Sequence, residues 1–294
     1  MYKHSLSVIS GSLFGMTFAA FPNKPNFARL ALLLTFVATA SSAELNAQTP
    51  AQTSQTAQPA NTPEVPDWAL PSSATHKQYA PPKDFHRATK TFDTPIGIFD
   101  GQSDIGGTLV PGSASYDSSA KTYTINSAGY NIWYTRDEFR YLWKKLSGDV
   151  SFAASVAFPV PQNPPQDRKV VLVIRQDLED DSKEIMAAEH GTGMVHLAER
   201  PEKNDMIKDM QYRFGGAMLT GVLPQRIGIE KHGDEVALFI SVKGEPMHQF
   251  GPPIEIRFDG PFYVGIGFCS HYPVTVDTGT FSDVLLENKA GDVH

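Results

Sequence analysis

The chain has 294 residues, with 25 lysines and arginines against 32 aspartates and glutamates, 41% hydrophobic residues and one cysteine. That is a globular composition, and a formal net charge of −7 lacks the basic footprint that displaces counterions from nucleic-acid phosphates. One cysteine excludes a disulfide-stapled scaffold and a cysteine-based zinc or iron–sulfur centre, and no uninterrupted apolar run reaches the ~18 residues that span a bilayer.

Residues 1–43 contain Lys3, Lys24 and Arg29 and no acid. After Arg29 comes the apolar run Leu30 to Ala38, then Ser41-Ser42-Ala43 with the small-x-small spacing of a cleavage site. Charge, short apolar core and small residues in that order predict a secretory signal peptide over 1–43, with Met16 as an alternative start and Ala47 as an alternative cleavage point. Its removal leaves 22 cations against 32 anions, a net charge of −10, on a periplasmic or extracellular protein that does not insert into the membrane. Cys269, without a second thiol, is expected to be buried. Residues 44–84 are rich in Ala, Gln, Thr and Ser, with prolines at 50, 59, 63, 66, 71, 81 and 82. They hold too little apolar surface to offset their ordering entropy, which predicts a disordered tether. From Phe85 the pattern changes, and 85–290 is read as one β-sandwich domain.

Phe139, Tyr141 and Trp143 alternate with Arg140, Leu142 and Lys144, and Val150, Phe152, Ala154, Val156 and Phe158 alternate with smaller residues. Period 2 predicts two strands, here joined into a hairpin through Lys145 to Asp149, with Tyr141 and Trp143 facing the core. Val170 to Ile174 is apolar throughout and predicts a central strand covered on both faces. Gly191-Thr192-Gly193 and His232-Gly233-Asp234 each sit between alternating runs and predict hairpins. Phe262 to Phe268 is a further strand, and its glycines at 265 and 267 predict close approach of another group. Thr280 to Leu286 closes the domain, and no long amphipathic helix interrupts it. The fold class is therefore all-β, a two-sheet antiparallel jelly-roll sandwich.

Asp104-Ile105-Gly106, Gly112 to Asp117, Trp143 to Val150, Arg168 to Gln176 and Phe262 to His271 together resemble a known pattern. It is that of the concanavalin A-like β-sandwich of exported bacterial proteins, found ahead of TolB-like propellers, and it is similar to DUF1349-type jelly rolls. The resemblance covers roughly residues 95–288. It implies carbohydrate binding or glycan cleavage by analogy of fold.

A retaining glycosidase needs two carboxylates ~5–5.5 Å apart. No Glu-x-Asp-x-x-Glu is present, and the adjacent Asp137 and Glu138 would point to opposite faces of a strand. The run Asp177, Glu179, Asp180, Asp181, Glu184 reads as a solvated turn; it lacks the EF-hand glycine and leaves room only for a structural calcium, there or near Asp104. No other cofactor is expected. Trp133, following Gly129-Tyr130-Asn131, is the exposed aromatic that suits a sugar face. Arg175, Glu189 and His190 lie on consecutive strands and suit a hydroxylated or carboxylated ligand. His271, after Cys269-Ser270, is a cleft candidate, while His190, His196 and His271 lack metal-ligand spacing. The expected site is Trp133, Arg175, Glu189, His190 and His271 on one concave sheet of a non-catalytic module that binds a glycan or another cell-envelope component. The enzymatic rival is a glycoside hydrolase or polysaccharide lyase, with Glu189 or His190 as general acid/base and Arg175 neutralising a substrate carboxylate. A third reading is a protein-interaction module of the envelope. The sequence leaves the oligomeric state open.

Overall fold

The run Val170 to Ile174 has no solvent-accessible surface on either side, as a stretch without polar alternation requires. In the computed structural model, which describes residues 85–161, 167–213 and 223–293, it is the middle of a strand at the centre of a large sheet. The expected signal segment 1–43 and tether 44–84 lie outside the described residues. In chain order the strands are β1 (Lys90–Phe92), β2 (Gly101–Ile105), β3 (Ser113–Asp117), β4 (Thr122–Gly129), β5 (Ile132–Trp133) and β6 (Arg136–Asp137). They continue with β7 (Phe139–Leu146), β8 (Val150–Ala157), β9 (Lys169–Arg175), β10 (Glu184–His190), β11 (Met194–Arg200) and β12 (Lys208–Arg213). The last are β13 (Pro224–His232), β14 (Glu235–Val242), β15 (His248–Gln249), β16 (Ile254–Glu255), β17 (Phe262–Cys269) and β18 (Tyr272–Glu287). No helix occurs among the described residues, so none is long and apolar enough to cross a membrane.

Two antiparallel sheets form the sandwich. The first runs β1-β2-β7-β17-β9-β10-β11-β12, and the second runs β15-β14-β13-β8-β18-β4-β3, with β16 paired to β14. Both predicted glycine hairpins form, as β10–β11 and β13–β14. The hairpin expected between residues 139–146 and 150–157 does not. β7 pairs with β2 and β17 in the first sheet, whereas β8 pairs with β13 and β18 in the second. Residues 147–149 thus arch from one layer to the other. Alternation in sequence identifies a strand but not its partner.

Between the sheets lies the main core, with Leu142, Val170, Leu172, Ile174, Ile185, Ala187, Val195, Leu197, Val264, Ile266 and Phe268 from the first and Phe152, Ile227, Ile229, Leu238 and Phe281 from the second. The opposite face of the first sheet is also buried. There Phe139, Tyr141, Trp143, Val171, Val173, Met186, Ala188, Ala198 and Cys269 form a second cluster. Tyr141 and Trp143 therefore face away from the intersheet core, contrary to expectation. The cluster is closed by Ile132 of the β5–β6 hairpin, by Leu178 and Ile207 of the segments 176–183 and 201–207, and by Tyr263, which packs edge-on against Trp143. The glycines of β17 explain themselves: a Cβ on Gly265 would stand 1.8 Å from the Leu142 carbonyl oxygen, and one on Gly267 would stand 2.6 Å from the Phe139 ring.

A buried ion network fastens this cover. Arg175 and Glu184 face each other across β9 and β10, and Glu184 faces Arg200 across β10 and β11. Asp137 of the β5–β6 hairpin drops onto the row, its Oδ2 2.6 Å from Arg175 Nη1 and its Oδ1 2.7 Å from Arg200 Nη2. Glu184 also bonds Arg175 directly and lies 3.2 Å from Arg200 Nη1. Further guanidinium protons go to loop carbonyls, from Arg175 to Glu179 and from Arg200 to Ser182 and Asp205, while Arg175 Nε has no partner. Burial opposes the charge on Asp137, yet the two guanidiniums hold its carboxyl below the usual range; Glu184 is pushed up by burial and by its neighbour Asp137 against the attraction of the same cations. Two arginines and two acids, all with fully buried side chains, so tie three covering segments to one row of the sheet.

Candidate functional site

The strand geometry disperses the five expected residues. Arg175 closes β9 inside the buried network and has no exposed surface. Lys169 opens the same strand, six residues away, which at ~3.3 Å per residue is about 20 Å. His190 pairs with Lys169, at the end remote from Arg175. Glu189 pairs with Val195 and Val170, both core residues, so it points between the sheets while His190 points outward. One oxygen of its buried carboxylate, Oε2, has no hydrogen-bond partner, and burial pushes its pKa well up. A site joining Arg175, Glu189 and His190 on one face is thus not formed. Neighbouring residues of a strand face opposite ways, and the row that holds Arg175 lies at the far end.

Trp133 and His190 do come together, with four residues that the sequence reading left out of the site, Lys169, His196, Asp167 and Asp209, and His271 lies on the far side of Asp167. Lys169 is buried at the centre. Its Nζ donates to the Ile132 carbonyl at 3.1 Å and stands 5.4 Å from the centre of the Trp133 ring. Among the described residues no carboxylate lies within 4.0 Å of it, and burial lowers its pKa. Trp133 is half-buried, and its ring tilts over His196 at 5.5 Å between centroids. His196 and His190 meet through their Nε2 atoms at 3.2 Å. His196 Nδ1 lies 3.4 Å from Asp209 of β12, and His190 Nδ1 lies 3.6 Å from Asp167. His271, at φ 68° in the turn between β17 and β18, adds to the positive field at Asp167. Cys269, paired with Lys169, is buried as expected, and burial pushes its thiol up to about 11.

The result is a chain Asp167–His190–His196–Asp209 with three gaps. Burial drives both imidazoles toward the neutral form, most strongly at His190, with Lys169 repelling a second charge. Two neutral imidazoles carry two N–H protons, which fill only two of three gaps. The 3.6 Å separation at Asp167 is the gap left open, and His190 Nδ1 has no hydrogen-bond partner. Asp167 thus stands outside the hydrogen-bonded chain, while the His196 hydrogen bond holds Asp209 below the usual range against the effect of burial. The sequence signal for Lys169 was a charge opening an otherwise apolar central strand. For Asp209 no local signal exists, since it belongs to an edge strand brought in by tertiary pairing.

The acidic run is a solvated turn only at Asp177 and Glu179. Asp180, Asp181 and Glu184 are buried and engaged, Asp180 by Arg136 at 3.3 Å and Asp181 by Lys203 at 2.8 Å. Asp104 is bound by Arg140 at 3.1 Å. No group of three or more His, Cys, Asp or Glu side chains disposed around a metal position occurs among the described residues. A shallow cleft of about 300 Å³ lies over the cover, lined by His86, Arg87, Glu179, Asp180, Asp181 and Lys203.

The sequence matches no family model, and no curated protein matches it. Among solved structures it is similar to a functionally unknown protein from Saccharomyces cerevisiae, with a TM-score of 0.46, 14% identity, and 61% of this chain and 93% of that one covered. It is also similar to the alginate lyase from Klebsiella pneumoniae, with a TM-score of 0.37, 11% identity, and 62% and 85% covered. Xylan β-1,4-xylosidase from Bacillus halodurans gives a TM-score of 0.42 and 14% identity over 69% of this chain and 40% of that one. At these TM-scores the likenesses carry no argument about activity, which rests on the residues themselves.

Proposed function

We propose that the chain is an exported, non-catalytic glycan-binding module whose ligand meets the Trp133 end of the first sheet. The observation that carries this reading is the half-buried indole of Trp133, held on a rigid two-strand hairpin against His196 and Lys169. A flat ring with a fixed orientation buries the C–H face of a sugar at low entropic cost. The middle of the same sheet face is sealed by the Asp137–Arg175–Glu184–Arg200 network, which leaves this end as the place for a ligand. Export is the companion proposal, supported by the order of charge, apolar core and small residues in 1–43. Affinity electrophoresis of the full chain in gels containing plant and bacterial polysaccharides tests the binding. Trp133→Ala is expected to abolish retardation and Trp133→Phe to keep part of it; retardation unchanged in Trp133→Ala rejects the site.

One observation favours a catalytic reading, the hydrogen-bonded pair of neutral imidazoles between two carboxylates, which is able to pass a proton along its length. Time-dependent shortening of a retained polysaccharide by the wild type and not by His196→Gln would establish it in place of simple binding.

A further inference from the structure

Three basic side chains from three separate elements act on one carboxylate. His190 of β10 brings its Nδ1 to 3.6 Å from Asp167, and Lys169 of β9 and His271 of the β17–β18 turn are near enough to act on its charge. The anion is out of scale with its surroundings. The Asp167 side chain is 53% exposed, whereas His190 is 4% exposed and Lys169 is buried. Asp167 Oδ1 accepts a hydrogen bond from the exposed Thr192 hydroxyl at 3.3 Å but makes none to the basic groups, standing 3.6 Å from His190 Nδ1 and more than 4.0 Å from Lys169 Nζ. Buried ammonium groups are almost always paired, because an isolated charge in a low-dielectric site is strongly disfavoured. Here the fold keeps one with a carbonyl, an indole face and a loosely held, solvent-exposed aspartate.

We propose that this end of the sheet is a carboxylate subsite and that the glycan it takes is an acidic one, a saccharide carrying uronate- or sialate-type carboxylates. The ligand carboxylate lies against Lys169 in the place that Asp167 now holds weakly, and a neighbouring sugar ring covers Trp133. The inference rests on the glycan-binding reading and narrows it. The other groups that face His190 fit this arrangement. His196 supplies a neutral Nε2, Asp209 engages the far side of His196, Cys269 is an un-ionised thiol, and Tyr272 lies beyond Asp167 with its hydroxyl pushed up by burial and by that charge. Asp167 is then an internal competitor and not part of the machinery.

The test uses the full chain and three acidic probes, galacturonate, glucuronate and sialate oligosaccharides, each against the same oligosaccharide with its carboxyls reduced to alcohols, by titration calorimetry in low salt. At least one acidic probe is expected to bind about tenfold or more tighter than its reduced form, the effect of a charge-assisted hydrogen bond, and to weaken as salt is raised. Lys169→Gln should erase that preference while leaving residual binding of the reduced probe, and Asp167→Asn should tighten the acidic probe several-fold. Lys169→Arg, which keeps the charge, guards against a folding defect and should retain the preference. Equal binding of every acidic and reduced pair, or a preference that survives in a folded Lys169→Gln, overturns the inference. If Trp133→Ala still abolishes binding in that case, the glycan reading stands and only the carboxylate subsite falls. If no probe binds, both fall.

Discussion

Two side chains set opposite pH limits on the domain. Glu189 sits among core residues with a carboxyl whose pKa is raised well above its ordinary 4.5. Its contribution to stability is complete below that value and declines as pH rises toward the folded-state pKa, because the unfolded chain sheds a proton that the folded chain keeps. Glu189→Gln keeps the shape and removes the acid, so urea unfolding should show a gain over wild type that is near zero at pH 4.5 and grows through pH 8. A constant difference across that range would mean that Glu189 is ionised in the fold. His190 works in the other sense. Its folded pKa lies below the ordinary 6.5, so its contribution is present above 6.5 and is lost as pH falls through the folded value. His190→Gln should flatten that acid limb, and an unchanged acid limb would place the titrating group elsewhere. Neither role was legible in the sequence. Glu189 and His190 are neighbours there, and only the register of β10 against Val170 and Lys169 shows that one faces the core and the other the site.

The strands were the most legible part, and their partners the least. Val170 to Ile174, the two glycine-centred hairpins and the Phe262 run are each specified by local pattern, and each forms as read. The arch at residues 147–149 shows the limit, since the alternation of Phe139 to Trp143 says nothing about which neighbour it will meet. The layer over the outer face was equally hidden, because Asp137, Arg175, Glu184 and Arg200 are far apart in sequence and form one unit only through the β9–β10–β11 register. That unit makes a sharp prediction. Asp137→Ala leaves two buried guanidiniums facing one carboxylate and should cost roughly 3–5 kcal/mol. Hydrogen exchange should then rise first in segments 130–138, 176–183 and 201–207, ahead of the strands beneath. Uniform loss of protection over both sheets would show that the cover is not held separately. Close packing of β17 predicts a second contrast: Gly265→Ala meets the backbone of β7 and should unfold the domain, while Gly148→Ala, at φ 80° with open space around it, should cost about 1–3 kcal/mol. Similar losses for both would contradict the packing.

At the scale of the molecule, the covering segments turn the outer face of the first sheet into an interior, and the proposed ligand site lies at the end of that face. The concave sheet expected to carry Arg175 with the other site residues is sealed over Arg175, and the proposed site moves to the strand ends that carry Lys169, His190 and His196. The expected export segment has its own readout. On expression in a Gram-negative bacterium the protein should be recovered from the periplasm beginning at Glu44, and intact chain in the cytoplasm would refute the signal reading. The central claim, that ligand binds at the Trp133 end and not over the ion network, is tested most directly by the hydrogen-exchange footprint of the full chain saturated with a retained polysaccharide. Protection is predicted in residues 131–135, 167–171, 190–196 and 208–211, with 176–183 and 201–207 unchanged; protection centred on those two covering segments, with none around Trp133, would contradict it.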